Sequence, residues 1–97
     1  MNQTLQKAIN SFGNQKQLLK CAEECNELAR ALVRYVAGIE AKDEVFREIV
    51  DVEEITLPQV KEIMGYDSFD TVAEREKKIS KLERTIALKG GDNNAGP

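Results

Sequence analysis

Three interior glycines divide a chain that otherwise contains almost no residue that interrupts a helix. They are Gly13, Gly38 and Gly65, while the other three of the six glycines lie in the last eight residues. Of the two prolines, only Pro58 lies in the body of the chain. Because glycine and proline most disfavour a helix interior, this distribution predicts a helical chain whose helices end near the interior glycines.

Apolar residues recur with a helical period in the first two intervals. The interval before Gly13 predicts a short helix from its apolar residues Leu5, Ala8, Ile9 and Phe12. A second helix is predicted from Asn14 to about Val36, where Asn14 and Gln17 have the spacing of a capping box. Its predicted buried stripe is Leu18, Ala22, Cys25, Ala29, Leu32 and Val36.

A third helix is predicted to begin at Lys42 or Asp43 and to end at Gly65. Pro58 is expected to kink or break it, because proline cannot donate a hydrogen bond to the carbonyl four residues earlier. Its predicted apolar stripe is Val45, Ile49, Val52, Thr56, Val60 and Ile63, widened by Phe46, Val50, Leu57 and Met64.

A fourth helix is predicted from about Phe69 to Leu88, capped by Asp67 or Ser68. Its predicted inward residues are Phe69, Val72, Ile79, Leu82 and Ile86. Residues 90–97 are polar and rich in glycine, which predicts a disordered tail. The fold prediction is a single all-α domain over residues 1–89, built as a bundle of three long helices and a short N-terminal one.

The apolar arcs on the second and third helices each cover about half of the helix circumference. A chain of 97 residues has a small core, which can rarely hide two arcs of this width. We therefore expect a homo-oligomer, either a dimer or a tetramer.

Composition argues against several classes of protein. The chain has no histidine, which removes Ser–His–Asp catalysis and every zinc site that needs imidazole. A net charge of −3 and an aromatic content of 5% argue against nucleic-acid binding. The sequence shows no signal peptide. It also has no apolar stretch whose length approaches the ~20 residues of a membrane span. Cys21 and Cys25 suit packing positions in a reducing compartment, so we expect a cytoplasmic protein without a membrane partner.

Two pairs of acidic residues share the i, i+3 spacing that places side chains on one helix flank. They are Glu24 with Glu27, and Glu48 with Asp51. In an antiparallel hairpin that turns beside Gly38, Glu24 would face Asp51 and Glu27 would face Glu48. Four clustered carboxylates would favour a hard divalent cation, Mg²⁺ or Mn²⁺. The same spacing also suits a solvated acidic face, and the spacing alone leaves both interpretations open.

Three short segments occur in a definite order. Residues 23–28 read E-E-C-N-E-L, residues 47–52 read R-E-I-V-D-V, and residues 79–84 read I-S-K-L-E-R after Phe69 and Val72. Together they resemble the E-x-x-E, E-x-x-D and late K-L-x-R motifs of the MazG-type all-α nucleoside triphosphate pyrophosphohydrolases. The resemblance covers most of the chain.

This resemblance implies a Mg²⁺-dependent enzyme, for which Mn²⁺ could substitute, in an oligomeric four-helix-bundle assembly. It would cleave a nucleoside triphosphate, with a deoxynucleotide the favoured substrate, between the α- and β-phosphates to give monophosphate and pyrophosphate. The matching metal-binding and catalytic positions are Glu24, Glu27, Glu48 and Asp51. The matching phosphate-binding positions are Lys81 and Arg84, with Lys78 as a further candidate.

Other interpretations remain open at this stage. A non-enzymatic, oligomeric helical adaptor would need only the apolar arcs, with acids that serve solubility. The basic run around Lys78 alternates with glutamates, as a solvated helix face does. A nucleic-acid binder built on the fourth helix is a weaker alternative, because the net charge is negative. Gln17 and Phe12 are guesses for base contacts.

Overall fold

The computed structural model describes residues 1–93, with side chains as far as Gly90. It contains five α-helices and one π-helical segment: α1 (Gln3–Phe12), α2 (Asn14–Val36), α3 (Lys42–Val50), the π segment (Asp51–Thr56), α4 (Leu57–Met64) and α5 (Ser68–Asn93). No strand occurs among the described residues, which confirms the all-α prediction. Within the same part of the chain, no helix has the length and apolar character needed to cross a membrane.

The helix ends follow the interior glycines. Gly13, Gly38 and Gly65 all have positive φ, between 78° and 91°, and this backbone region is open to glycine at little cost. The Gly13 amide closes α1 by donating to the Ile9 carbonyl at 2.8 Å. The predicted ends of the first three helices are therefore confirmed.

Two terminal details differ from the prediction. Asn14 is already helical, and no side chain caps α2, so the predicted capping box is wrong. The reason is that Gly13 occupies the cap position, and its carbonyl accepts from the Gln17 amide. At the other end of the chain, α5 continues past Leu88 to Asn93, so it includes the first residues of the predicted tail. Residues 94–97 of that tail lie outside the described residues.

Two compact units make up the chain, Met1–Gly65 and Tyr66–Pro97. In the first unit, α2 packs against α3, the π segment and α4, and α1 packs against α2 and α4. The side chains of Gln17 and Gln59 meet across this packing at 2.8 Å, as an antiparallel hairpin requires. The prediction of a single domain over residues 1–89 stays a prediction.

The face of α2 that packs inside the first unit is not the predicted stripe. Gln17, Cys21 and Ala31 are buried, and Glu24 and Leu28 between them are half-buried. Of the predicted stripe, Leu18 is half-buried. The other residues of the stripe are exposed: Ala22, Cys25, Ala29, Leu32 and Val36. The whole apolar arc is wide, and the hairpin packs against the edge where Cys21 and Ala31 are small enough for close approach.

The predicted stripe of the third helix is mostly confirmed. Val52 and Thr56 are buried, Val45, Val60 and Ile63 are half-buried, and Ile49 is exposed.

Pro58 interrupts the regular α-helical pattern of the third helix, where a kink or a break is predicted, while the backbone stays helical from Lys42 to Met64. It is the second residue of α4, and the six residues before α4 form the π segment. The Thr56 hydroxyl donates to the Asp51 carbonyl at 3.0 Å, and the Gln59 side-chain amide donates to the Ile55 carbonyl at 3.0 Å. These side-chain bonds supplement a backbone ladder from which proline has removed one donor.

The second unit contains α5, and its start is capped as predicted. The Asp67 carboxylate accepts from the Asp70 amide at 2.9 Å, and the Asp70 carboxylate accepts from the Asp67 amide at 3.1 Å. The residues predicted to point inward are instead exposed in this chain: Phe69, Val72, Ile79, Leu82 and Ile86. Among its described residues, the second unit contains no other helix against which α5 could bury these side chains.

Candidate metal centre

Three of the four predicted acids converge between two packed helical elements. One carboxylate oxygen each from Glu24, Glu48 and Asp51 lies within 4.8 Å of the others. All three residues are half-buried. We refer to these three residues as the acidic cluster, and the structure thereby brings together one member of the E-x-x-E pair and both members of the E-x-x-D pair.

Each acid owes its position to the packing of the hairpin. Glu24 lies on the buried face of α2, three residues after Cys21 and seven before Ala31. Glu48 lies in the last turn of α3, and Asp51 is the first residue of the π segment. The apolar stripe predicted from the sequence leaves Glu24 on a flank of α2. Glu24 is half-buried because a different edge of α2 packs inward.

Glu27 lies at the border of this arrangement rather than inside it. Its side chain is exposed and is not one of the three clustered acids. It does line a cleft together with Glu48, and its negative charge is one of the causes that raise the pKa of Glu48. The predicted convergence of four acids is therefore found for three, with the fourth beside them.

Glu48 is the electrostatically unusual member of the cluster. Its Oε2 atom is buried and has no hydrogen-bond partner among the described residues. Burial, and then the negative charges of Asp51 and Glu24, raise the pKa of Glu48 above its usual value. This shielded oxygen accepts no hydrogen bond within the described residues, and two further carboxylates lie beside it. Such a set of oxygen ligands fits a Mg²⁺ or Mn²⁺ ion.

Lys20 is a charged neighbour that the sequence analysis missed. Its ammonium group lies 3.3 Å from a Glu24 carboxylate oxygen and 3.8 Å from Glu23. These two acids, Glu24 first, raise the pKa of Lys20. The i, i+4 spacing of Lys20 and Glu24 is the sequence signal that could have revealed the pair.

An open cleft of about 170 Å³ lies beside the acidic cluster. Its lining residues come from α2, from α3 and from the turn between them: Glu27, Arg30, Ala31, Arg34, Glu40, Glu44 and Glu48. The two arginines of this cleft were also missed, because single arginines on an exposed helix face have no distinctive spacing.

The predicted phosphate-binding residues all lie on α5. Lys78, Lys81 and Arg84 are exposed, and their spacing of three places them along one side of that helix. Lys78 lies 3.9 Å from Glu74, whereas Lys81 and Arg84 form no ion pair within the described part of the chain. Their role in phosphate binding stays a prediction.

The two guessed base contacts have other partners. The Gln17 side-chain amide is buried and donates to Gln59. Phe12 is exposed, and the Lys16 ammonium lies 5.5 Å from the centre of its ring. Gln17 is therefore engaged in holding α2 to α4.

Comparisons with known proteins assign no family to this chain. No family model matches it, and neither a curated protein nor a solved structure gives a match. The likeness to MazG-type enzymes accordingly rests on the three sequence segments.

Proposed function

We propose that this protein is a Mg²⁺-dependent nucleoside triphosphate pyrophosphohydrolase, with a deoxynucleoside triphosphate as the favoured substrate. The observation that carries the proposal is the convergence of Glu24, Glu48 and Asp51 around a shielded, unpartnered oxygen of Glu48. Clustered carboxylates repel one another at a cost to the fold, and a bound divalent cation relieves that cost.

The residues of the acidic cluster would hold Mg²⁺ or Mn²⁺. When bound, such an ion neutralises phosphate charge and lowers the pKa of an attacking water. Glu27, exposed at the border, is open to substrate and solvent and is a candidate for accepting the proton of that water. On α5, Lys81, Arg84 and Lys78 are the candidates for contacts to the β- and γ-phosphates.

Product analysis tests the reaction. The protein is incubated with Mg²⁺ and a panel of ribo- and deoxynucleoside triphosphates, and the phosphorus products are separated. Attack at the α-phosphate gives monophosphate and pyrophosphate, whereas attack at the γ-phosphate gives diphosphate and orthophosphate. Orthophosphate and diphosphate as the products would overturn the proposed reaction.

Two variants test the site. Glu27→Gln should lower kcat by about a hundredfold or more while the helical circular dichroism is unchanged, because removal of a general base has effects of this size. Glu53→Gln removes an exposed acid outside the acidic cluster and serves as the matched control. Equal activity of the two variants would remove the assignment of Glu27 even if the reaction stood.

A second candidate function is a non-enzymatic helical adaptor that acts as a homo-oligomer. It is favoured by the large apolar side chains that the chain exposes, among them Val36 at 86% and Phe69 at 80%. Divalent-cation binding distinguishes the two functions, since the adaptor has no use for the acidic cluster. Calorimetry that detects no Mn²⁺ binding at millimolar concentration would favour the adaptor.

A further inference from the structure

The cleft beside the acidic cluster contains charged groups of both signs. Ala31, only 5% exposed, is one of its lining residues, and its side chain is small. Four glutamates and two arginines form the rest of the lining.

Half of these six charges are already paired inside the protein. Arg34 Nε lies 2.9 Å from a Glu40 carboxylate oxygen, and these residues connect the end of α2 to the following turn. Glu44 accepts from Arg47 at 2.8 Å. Among the lining residues, Glu27, Glu48 and Arg30 form no ion pair within the described part of the chain.

The three remaining charges have a definite arrangement. Arg30 follows Glu27 by three residues, so the two lie on the same flank of α2. Glu48 belongs to both the cleft and the acidic cluster, so the cleft continues directly from the candidate metal centre. Within the described part of the chain, a guanidinium without an ion-pair partner thus borders the acids of the candidate metal centre.

We propose that Arg30 binds a phosphate group of a metal-bound polyphosphate in this cleft. The inference rests on the proposed function, because the acids attract the phosphate only through a divalent cation. The planar guanidinium can donate two parallel hydrogen bonds to phosphate oxygens. Arg30 is then a substrate-binding residue of the first unit, in addition to the candidates on α5.

Calorimetry with inorganic tripolyphosphate and Mg²⁺ tests this inference without any contribution from a nucleobase. Arg30→Gln should weaken the binding of Mg²⁺–tripolyphosphate by about tenfold or more, the scale of a lost hydrogen bond to a charged group. Arg30→Lys should recover only part of the affinity, because an ammonium group is not a planar fork. Lys61→Gln on α4 removes the same charge from an exposed residue outside the cleft and serves as the control.

The outcomes separate this inference from the proposed function. Mn²⁺ binding in the absence of phosphate should be the same in Arg30→Gln and wild-type protein. If metal binding and hydrolysis persist but Arg30→Gln and Lys61→Gln bind tripolyphosphate equally, only the role of Arg30 is overturned. If the wild-type protein binds Mn²⁺ but not Mg²⁺–tripolyphosphate, the inference is also overturned. Absence of metal binding and of hydrolysis overturns the proposed function, and the role of Arg30 with it.

Discussion

Glu48 combines a shielded carboxylate oxygen with two acidic neighbours. Its pKa is raised in the folded protein, first by burial and then by Asp51. The folded state therefore binds this proton more tightly than the unfolded state does. The free energy of unfolding accordingly falls as the pH rises from the usual carboxyl pKa through the raised one. The arrangement costs the metal-free protein stability at neutral pH.

Removing this charge should stabilise the metal-free protein. Glu48→Gln is expected to raise the melting temperature at pH 7 by about 2–5 °C and to flatten the pH dependence of the free energy of unfolding between the two pKa values. Urea denaturation in the presence of a chelator across the acidic-to-neutral range measures both effects, with Glu53→Gln as the control. A destabilised Glu48→Gln protein at pH 7 would contradict this account of the carboxylate.

The same substitution should abolish the response to metal. Mg²⁺ or Mn²⁺ at about a hundred times its Kd is expected to raise the melting temperature of the wild-type protein by about 5 °C or more, since the ion binds only the folded state. Glu48→Gln and Asp51→Asn should lose this shift. Identical melting curves for the wild-type protein with and without millimolar metal would count against the candidate metal centre.

We expect the charge of Lys20 to compete with a bound cation for Glu24. Because the exposed Lys20 ammonium group lies 3.3 Å from the half-buried Glu24 carboxylate, Lys20→Gln should tighten Mn²⁺ binding modestly, by about threefold. The difference should shrink at high salt, which screens exposed charges. Titration of Mn²⁺ into both proteins measures it, with Lys61→Gln as the matched control. Weaker Mn²⁺ binding in Lys20→Gln would contradict the competition.

At the scale of the element, the π segment connects the candidate metal centre to the rest of the third helix. A π turn is wider than an α turn and is frequently found at functional sites. Here it begins at Asp51 and ends two residues before Pro58. Glu48, Val52, Thr56 and Val60 are each four residues apart, and all four are at least half-buried. In a regular α-helix of 3.6 residues per turn, residues at a spacing of four point in a progressively different direction around the axis. The wider π turn offsets this rotation, so we infer that it keeps these residues on the side of the helix that faces α2.

Restoring the missing amide should disturb this geometry. In Pro58→Ala the new N–H can donate to the Glu54 carbonyl and favours a regular α-helix through the π segment. Asp51 would then rotate relative to Val60, and we expect Mn²⁺ affinity to fall by about tenfold, as for other groups that orient a ligand. Calorimetry measures the Mn²⁺ affinity, and circular dichroism measures the retained helix content. Unchanged Mn²⁺ affinity would show that the π segment does not position Asp51.

At the scale of the whole molecule, the described chain leaves large apolar side chains on its surface. In the first unit these include Leu32 at 45% and Val36 at 86% exposed, and in the second unit Phe69 at 80% and Leu82 at 53%. Each unit thus carries more apolar surface than its own packing hides. Leu32 and Val36 are four residues apart and so lie on one side of α2, and large exposed apolar patches are typical of interaction faces.

We expect the protein to form a dimer or tetramer in solution. Leu32→Glu places a charge at a residue of α2 that is 45% exposed, so it should dissociate the assembly without unfolding the first unit. Multi-angle light scattering gives the mass, and circular dichroism gives the helix content. A monomeric wild-type protein at tens of micromolar would contradict the oligomer.

Local backbone chemistry was enough to predict the helices of this protein. Positive φ favours glycine at Gly13, Gly38 and Gly65, and Pro58 withholds an amide, so these residues determine helix ends whatever surrounds them. The antiparallel hairpin that follows from Gly38 also predicted that Glu24 would meet Asp51.

Only the tertiary structure decided which edge of the wide apolar arc on α2 packs inward. Periodicity gives the width of such an arc, but not the part of it that a neighbouring helix covers. That choice depends on the small side chains of Cys21 and Ala31 and on the hydrogen bond between Gln17 and Gln59. It exposes the predicted stripe and half-buries Glu24. It also creates the cleft where Arg30 lies near Glu48, because a cleft exists only once two helices are packed side by side.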